Sequence, residues 1–164
     1  MTRQEQVVVI RGAISSTDAL CLVSSLTGDI DARLAPEIIY PYYCFDAECS
    51  VPTLAGRKNV SLICLVDAAN GLGATADKFE LKKETVPLER LLPVELCSDS
   101  AAAIAQRTVT HRMGKKLRMI ASFDISIVPR GMVHKRFWIV QSIEAKVMVD
   151  STTGSLHPLK LKAA

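Results

Sequence analysis

The sequence predicts an α+β fold made of two helix-plus-antiparallel-sheet units, residues 1–82 and 83–164 of a 164-residue chain. Three observations predict it. Two stretches, 15–28 and 98–114, carry helix-start chemistry followed by an apolar stripe at helical spacing. Each is followed by short β-branched and aromatic runs separated by turn residues. The two halves also match in spacing. Leu65-Val66-Asp67 with Gly71 corresponds to Met148-Val149-Asp150 with Gly154, and Tyr42-Tyr43-Cys44-Phe45 resembles Phe137-Trp138-Ile139-Val140. The offset from Asp67 to Asp150 is 83 residues, close to half the chain.

Taken in order, residues 1–6 are polar and loose, and Val7 to Ile10 form a short strand. Ser15, Ser16 or Thr17 caps a helix whose first turn holds Asp18. Ala19, Leu22, Val23 and Leu26 form its inner face, and Gly28 ends it. Residues 29–36 connect to an extended run from Ile38 to Phe45, in which Pro41 demands an edge or a bulge. Residues 51–59 read as a loop, and Val60 to Val66 as a strand covered on both faces. Asp67 to Gly71 is a turn in which Asn70 and Gly71 accept positive φ.

Residues 74–95 join the halves. The second helix carries Ala101, Ala105, Val109 and Met113 on one face and stops at Gly114. Lys115 and Lys116 then open a strand-like run in which Phe123, Ile125 and Ile127 alternate with polar residues. Pro129 to Gly131 is a turn. Phe137 to Ile143 and Lys146 to Val149 are strands joined through Glu144 and Ala145, and Asp150 to Gly154 closes the unit.

Nearly half the residues are apolar and 23% are charged, the composition of a globular chain. The net charge is only +3, but it is uneven along the sequence. Residues 1–82 hold 7 Lys+Arg against 10 Asp+Glu, and residues 83–164 hold 13 against 7. Complementary halves of one molecule are the simpler reading, and an anionic partner for the second half the sharper one. Five cysteines in no paired spacing, no secretory leader and no membrane-length apolar run predict a cytoplasmic chain with reduced thiols and no membrane insertion.

The strand led by Phe137 and Trp138, followed by Val147-Met148-Val149-Asp150 and then Thr153-Gly154, resembles the closing hairpin of PepSY-type domains. The resemblance spans about residues 98–158, and more faintly 15–73. It implies a helix on an antiparallel sheet, as in a cystatin, and a role in binding or inhibition rather than catalysis.

Cys44 and Cys49 are five residues apart and point to opposite faces of a regular strand, so they do not begin a zinc site. A hairpin across 51–59 brings Cys44 near Cys64 as core thiols. No nucleophile elbow, phosphate loop or metalloprotease helix is present, and no cofactor is expected. His111, Arg112, Lys115, Lys116 and Arg118 cluster at the end of the second helix. Arg130, His134, Lys135 and Arg136 lead into Phe137 and Trp138. Basic groups beside aromatics suit single-stranded nucleic acid, although basic groups at a helix C-terminus also complement its dipole. The expectation is a non-catalytic accessory binding protein, associating with a protein partner or with itself. The alternatives are a nucleic-acid-binding module using Lys115, Lys116, Arg118, Arg130, His134, Lys135 and Arg136, or an enzyme with an unrecognised site.

Overall fold

A computed structural model of the chain describes residues 2–117, 123–143 and 145–159. In chain order the elements are β1 (Gln4–Ile10), α1 (Ser16–Thr27), β2 (Arg33–Thr53), β3 (Gly56–Asp67), β4 (Gly73–Ala76) and β5 (Leu81–Pro87). After one turn of 3-10 helix at Leu88–Arg90 come α2 (Ser98–Leu117), β6 (Asp124–Gln141), β7 (Lys146–Asp150) and β8 (Leu156–Leu159).

The fold class differs from the expectation. Of the described residues 53% are strand and 22% helix, and the strands form a mixed eight-stranded sheet rather than two antiparallel sheets each carrying a helix. The sheet runs β4-β3-β2-β6-β1-β5, with β7 on β6 and β8 on β7. It is mixed because β1 meets β6 in parallel, with Val9 opposite His134. The excess strand comes mainly from β2 and β6, of 21 and 18 residues, where shorter pieces were expected.

Two local features hid these long strands. Residues 51–59 continue the β2–β3 hairpin to Thr53 opposite Gly56, leaving a two-residue tip at Leu54 and Ala55. Pro129 and Gly131 lie inside β6 and do not turn it. Pro41 lies just outside the β2–β3 ladder, which starts one residue later at Tyr42 opposite Asp67, so that ladder does not call on its missing N–H. Gly114 likewise does not end α2, which carries Lys115 and Lys116 as helix and not as the start of a strand.

By compactness the chain forms two units. One is Met1–Tyr40, Glu80–Leu92 and His134–Ala164; the other is Pro41–Phe79 and Pro93–Val133. In the first unit, β1 pairs antiparallel with β5, from Gln4 opposite Pro87 to Ile10 opposite Leu81. Val7, Val9, Ile39 and Val86 form one small core. Ala19 and Val23 of α1 pack with Val140, Val147 and Val149 in another, flanked by Ile14, Trp138 and Leu156. Helix α1 starts as the sequence indicates: Ser15 Oγ accepts from Asp18 N, and an Asp18 carboxylate oxygen accepts from Ser15 N. Gly28 closes it at φ 72°.

In the second unit, Ala101, Ala105, Val109 and Met113 of α2 lie against Phe45, Ala47, Cys49, Val51, Cys64 and Val66. Fully burying the larger of these, Phe45, Val51, Val66, Val109 and Met113, stabilises by about 1.5–3 kcal/mol each. The alanines let the helix sit close. A Cβ at Gly73, at the start of β4, would overlap Thr108 Oγ1 of α2.

Each unit contains the same local clasp. Asp67 Oδ1 accepts from Ala69 N and Asn70 N, at 2.8 and 3.0 Å. Asp150 Oδ1 accepts from Thr152 N and Thr153 N, at 2.8 and 3.4 Å. Gly71 N and Gly154 N donate to the Asp67 and Asp150 carbonyls. The next carbonyl in each turn then holds a helix lead-in. Ala68 O accepts from Glu95 N and Leu96 N, ahead of α2, and Ser151 O accepts from Ala13 N and Ile14 N, ahead of α1. An aromatic side chain completes each clasp: Tyr43 Oη donates to Leu96 O at 2.6 Å, and Trp138 Nε1 to Ile14 O at 2.8 Å. The turn of the first sequence half therefore docks the helix of the second, and the reverse.

Candidate functional site

Three of the basic residues marked in the sequence, Arg130, Lys135 and Arg136, are tied to carboxylates. Arg130 Nε is 3.3 Å from Asp46, with both side chains about half exposed. Lys135 Nζ is 3.1 Å from Asp150 Oδ2, and both are mostly buried. Arg136 reaches Glu37 and Glu84, each at 2.9 Å, and lies over the Trp138 ring at 5.5 Å. Burial pulls the Arg136 pKa down, but the two carboxylates outweigh it and leave the guanidinium above its ordinary value. His134 Nδ1 is 3.3 Å from Val8 O, and burial lowers its pKa. All four groups lie on β6; Arg130, Lys135 and Arg136 meet carboxylates from other segments, and His134 meets a backbone carbonyl.

The cluster at the end of α2 is different. Arg107, His111, Arg112 and Lys115 are exposed, and among the described residues none is assigned an ion pair. Lys116 lies in the last turn of α2, and Arg118 lies outside the described residues. The charge split along the sequence does not survive folding into compact units. The first unit carries 11 Lys+Arg against 10 Asp+Glu, and the second 9 against 7.

Cys44, Cys49 and Cys64 are buried, while Cys21 and Cys97 are exposed. Cys64 lies opposite Phe45, so Cys44 projects from the other face of the hairpin and does not share the α2 core with Cys64. Burial raises all three buried thiols, Cys64 to about 11. Cys97, beside the start of α2, is shifted down, chiefly by the Ser100 hydroxyl 3.1 Å away and then by the Ser100 backbone. In the folded protein a thiol reagent at neutral pH is expected to modify Cys97 first and Cys21 second. The other three should react only after unfolding. A third fast thiol in the native protein would contradict these burials. Among the described residues no three His, Cys, Asp or Glu side chains gather as metal ligands.

Among the described residues, one recess is lined only by Thr2, Arg3, Leu88 and Glu89, and two others are walled by several elements. In the first unit a cavity of about 340 Å³ is lined by Gly12, Ser15, Lys82, Glu84, Arg136 and Trp138, among others. Its lining is polar, but Ser15 caps α1, and Arg136 and Glu84 bind each other. In the second unit a groove of about 470 Å³ lies along the first turns of α2. Tyr43, Cys44 and Phe45 of β2 line it, with Ala102 and Gln106 of α2 and Ile127, Pro129 and Met132 of β6. Its lining is mainly apolar. Ser98 and Asp99 stand at the α2 end; Asp99 is exposed, with no ion pair assigned to it among the described residues. No sequence motif announced this groove, because its walls come from three distant segments.

The chain matches no protein-family model, no curated protein and no solved structure. Among the described residues no helix is long and apolar enough to cross a membrane.

Proposed function

We propose that this chain is a non-catalytic binding protein, and that the α2 groove of the second unit receives an apolar side chain from a protein partner. The observation that carries this reading is an open, apolar-lined groove with an acidic residue, Asp99, at one end. Such recesses take a large side chain as an anchor while polar groups at the rim fix its orientation. The chemically conspicuous groups elsewhere, from Arg130 to Arg136, are engaged within the fold. The resemblance of residues 137–154 to the closing hairpin of PepSY-type domains, a group associated with binding, is in keeping with it.

A fluorescent short peptide with a central Leu flanked by Lys is the appropriate probe. Binding should be weak, with Kd on the order of 10–100 µM. It should fall at least about tenfold in Ala102→Trp, which fills the groove from an exposed helix position. Absence of binding by any apolar-centred peptide would overturn the reading. The second reading, single-stranded nucleic acid on the outer face of α2, is favoured by the exposed Arg107, His111, Arg112 and Lys115. Salt-sensitive retention on single-stranded DNA, lost on neutralising Arg112 and Lys115, would support it instead.

A further inference from the structure

We infer that the occupant of the α2 groove is the β2–β3 hairpin tip of a second copy of this chain, exchanged reciprocally in a two-fold dimer. The inference rests on the groove being a docking surface, as proposed above. Leu54 sits at the two-residue tip between Thr53 and Gly56, at a relative exposure of 111%. A two-residue hairpin turn favours Asn, Asp or Gly, so a leucine there serves no turn chemistry. It is a large apolar side chain at the end of a two-stranded arm.

Charge agrees with this occupant. Lys58 lies on the third rung from the tip, opposite Val51, and is exposed, with no ion pair to it among the described residues. The groove offers Asp99 at its α2 end. A chain cannot fill its own groove in this way. Phe45 and Leu54 are nine residues apart on one continuous strand, roughly 30 Å at the rise of a β-strand. The tip of one copy can instead reach the groove of another. Groove and tip lie on the same unit, so the reciprocal contact forms at once and the interface closes on itself rather than propagating.

Sedimentation equilibrium of the full chain tests this. The wild type should be a dimer with Kd on the order of 10 µM. Leu54→Asp should weaken association by about 100-fold or more, because it removes both anchors. Its site is fully exposed, so the fold should survive, as near-UV circular dichroism would verify. Ala102→Trp should dissociate the dimer from the groove side. Lys58→Glu should weaken it, and adding Asp99→Lys should restore it, an outcome that general surface stickiness would not give. A wild type that stays monomeric at about 100 µM overturns the inference, as does a Leu54→Asp variant that remains dimeric. A dimer broken by Ala102→Trp but not by Leu54→Asp overturns this occupant and leaves the groove reading standing. The Leu peptide competes with the partner's tip, so its binding should strengthen in the monomeric Leu54→Asp variant; no binding to that variant would fail both readings.

Discussion

Replacing Arg136 with Met is expected to destabilise the protein by about 3–5 kcal/mol. The guanidinium is about four-fifths buried and bridges Glu37 and Glu84, which are themselves about three-quarters buried. Removing it leaves two carboxylates in partial burial without their cation. That loss exceeds any gain from methionine packing against Trp138. Neutralising the carboxylates as well, in Arg136→Met with Glu37→Gln and Glu84→Gln, should recover most of the loss, because no buried charge is then stranded. Urea unfolding of the single and triple variants measures both. A single-variant cost below about 1 kcal/mol would show that Arg136 behaves as a surface cation.

The second large effect separates the two clasps. Asp67 and Asp150 hold equivalent turns and are almost equally buried, at 7% and 6% exposure. Asp67→Ala should cost about 1–2 kcal/mol, the loss of a side chain that caps two backbone N–H groups. Asp150→Ala should cost more, about 2–4 kcal/mol, because it also removes the ion pair to the mostly buried Lys135 and the bond from the Thr152 hydroxyl. The difference should depend on pH. Burial pushes the Asp150 carboxyl up, but hydrogen bonds from Thr152 and then the Lys135 ammonium outweigh it, leaving the pKa below its ordinary 3.8. A lowered folded pKa means a contribution that is complete above the ordinary carboxylate value. It disappears as pH falls below 3.8 and through the lowered folded value. The gap between wild type and Asp150→Ala should therefore be constant near neutrality and shrink only in strong acid. Equal costs for the two variants at neutral pH would contradict the role given to Lys135.

The turns were legible in the sequence because their chemistry is local. An aspartate with glycine four residues on supplies both the side-chain acceptor and the positive-φ residue the turn needs, and the aromatics at Tyr43 and Trp138 were visible as equivalents. What was not legible is where each clasp reaches. Ala68 holds the lead-in at Glu95 and Leu96, and Ser151 the one at Ala13 and Ile14. A carbonyl carries no sequence signature for a partner so far along the chain. Pro52 and Gly56 read as loop residues in the sequence, and Pro129 and Gly131 as a turn. In the fold Pro52 and Gly56 belong to a hairpin arm, and Pro129 and Gly131 to an unbroken strand. Gly114 misled in the same way, since the core contact of Met113 holds the helix through it.

The candidate site was legible only in part. The basic residues from Arg130 to Arg136 stood out as types, but Asp46, Glu37, Glu84 and Asp150, which pair with them, lie elsewhere in the chain. The groove was invisible because residues 43–45, 98–106 and 127–132 become neighbours only on folding.

Two methionines make the most direct test possible. Met132 lines the groove, whereas Met113 is fully buried in the α2 core. In a 13C-methyl-methionine spectrum, adding the Leu-centred peptide should move the Met132 resonance in proportion to saturation and leave Met113 in place. A peptide that binds while Met132 stays still would contradict a groove-borne function.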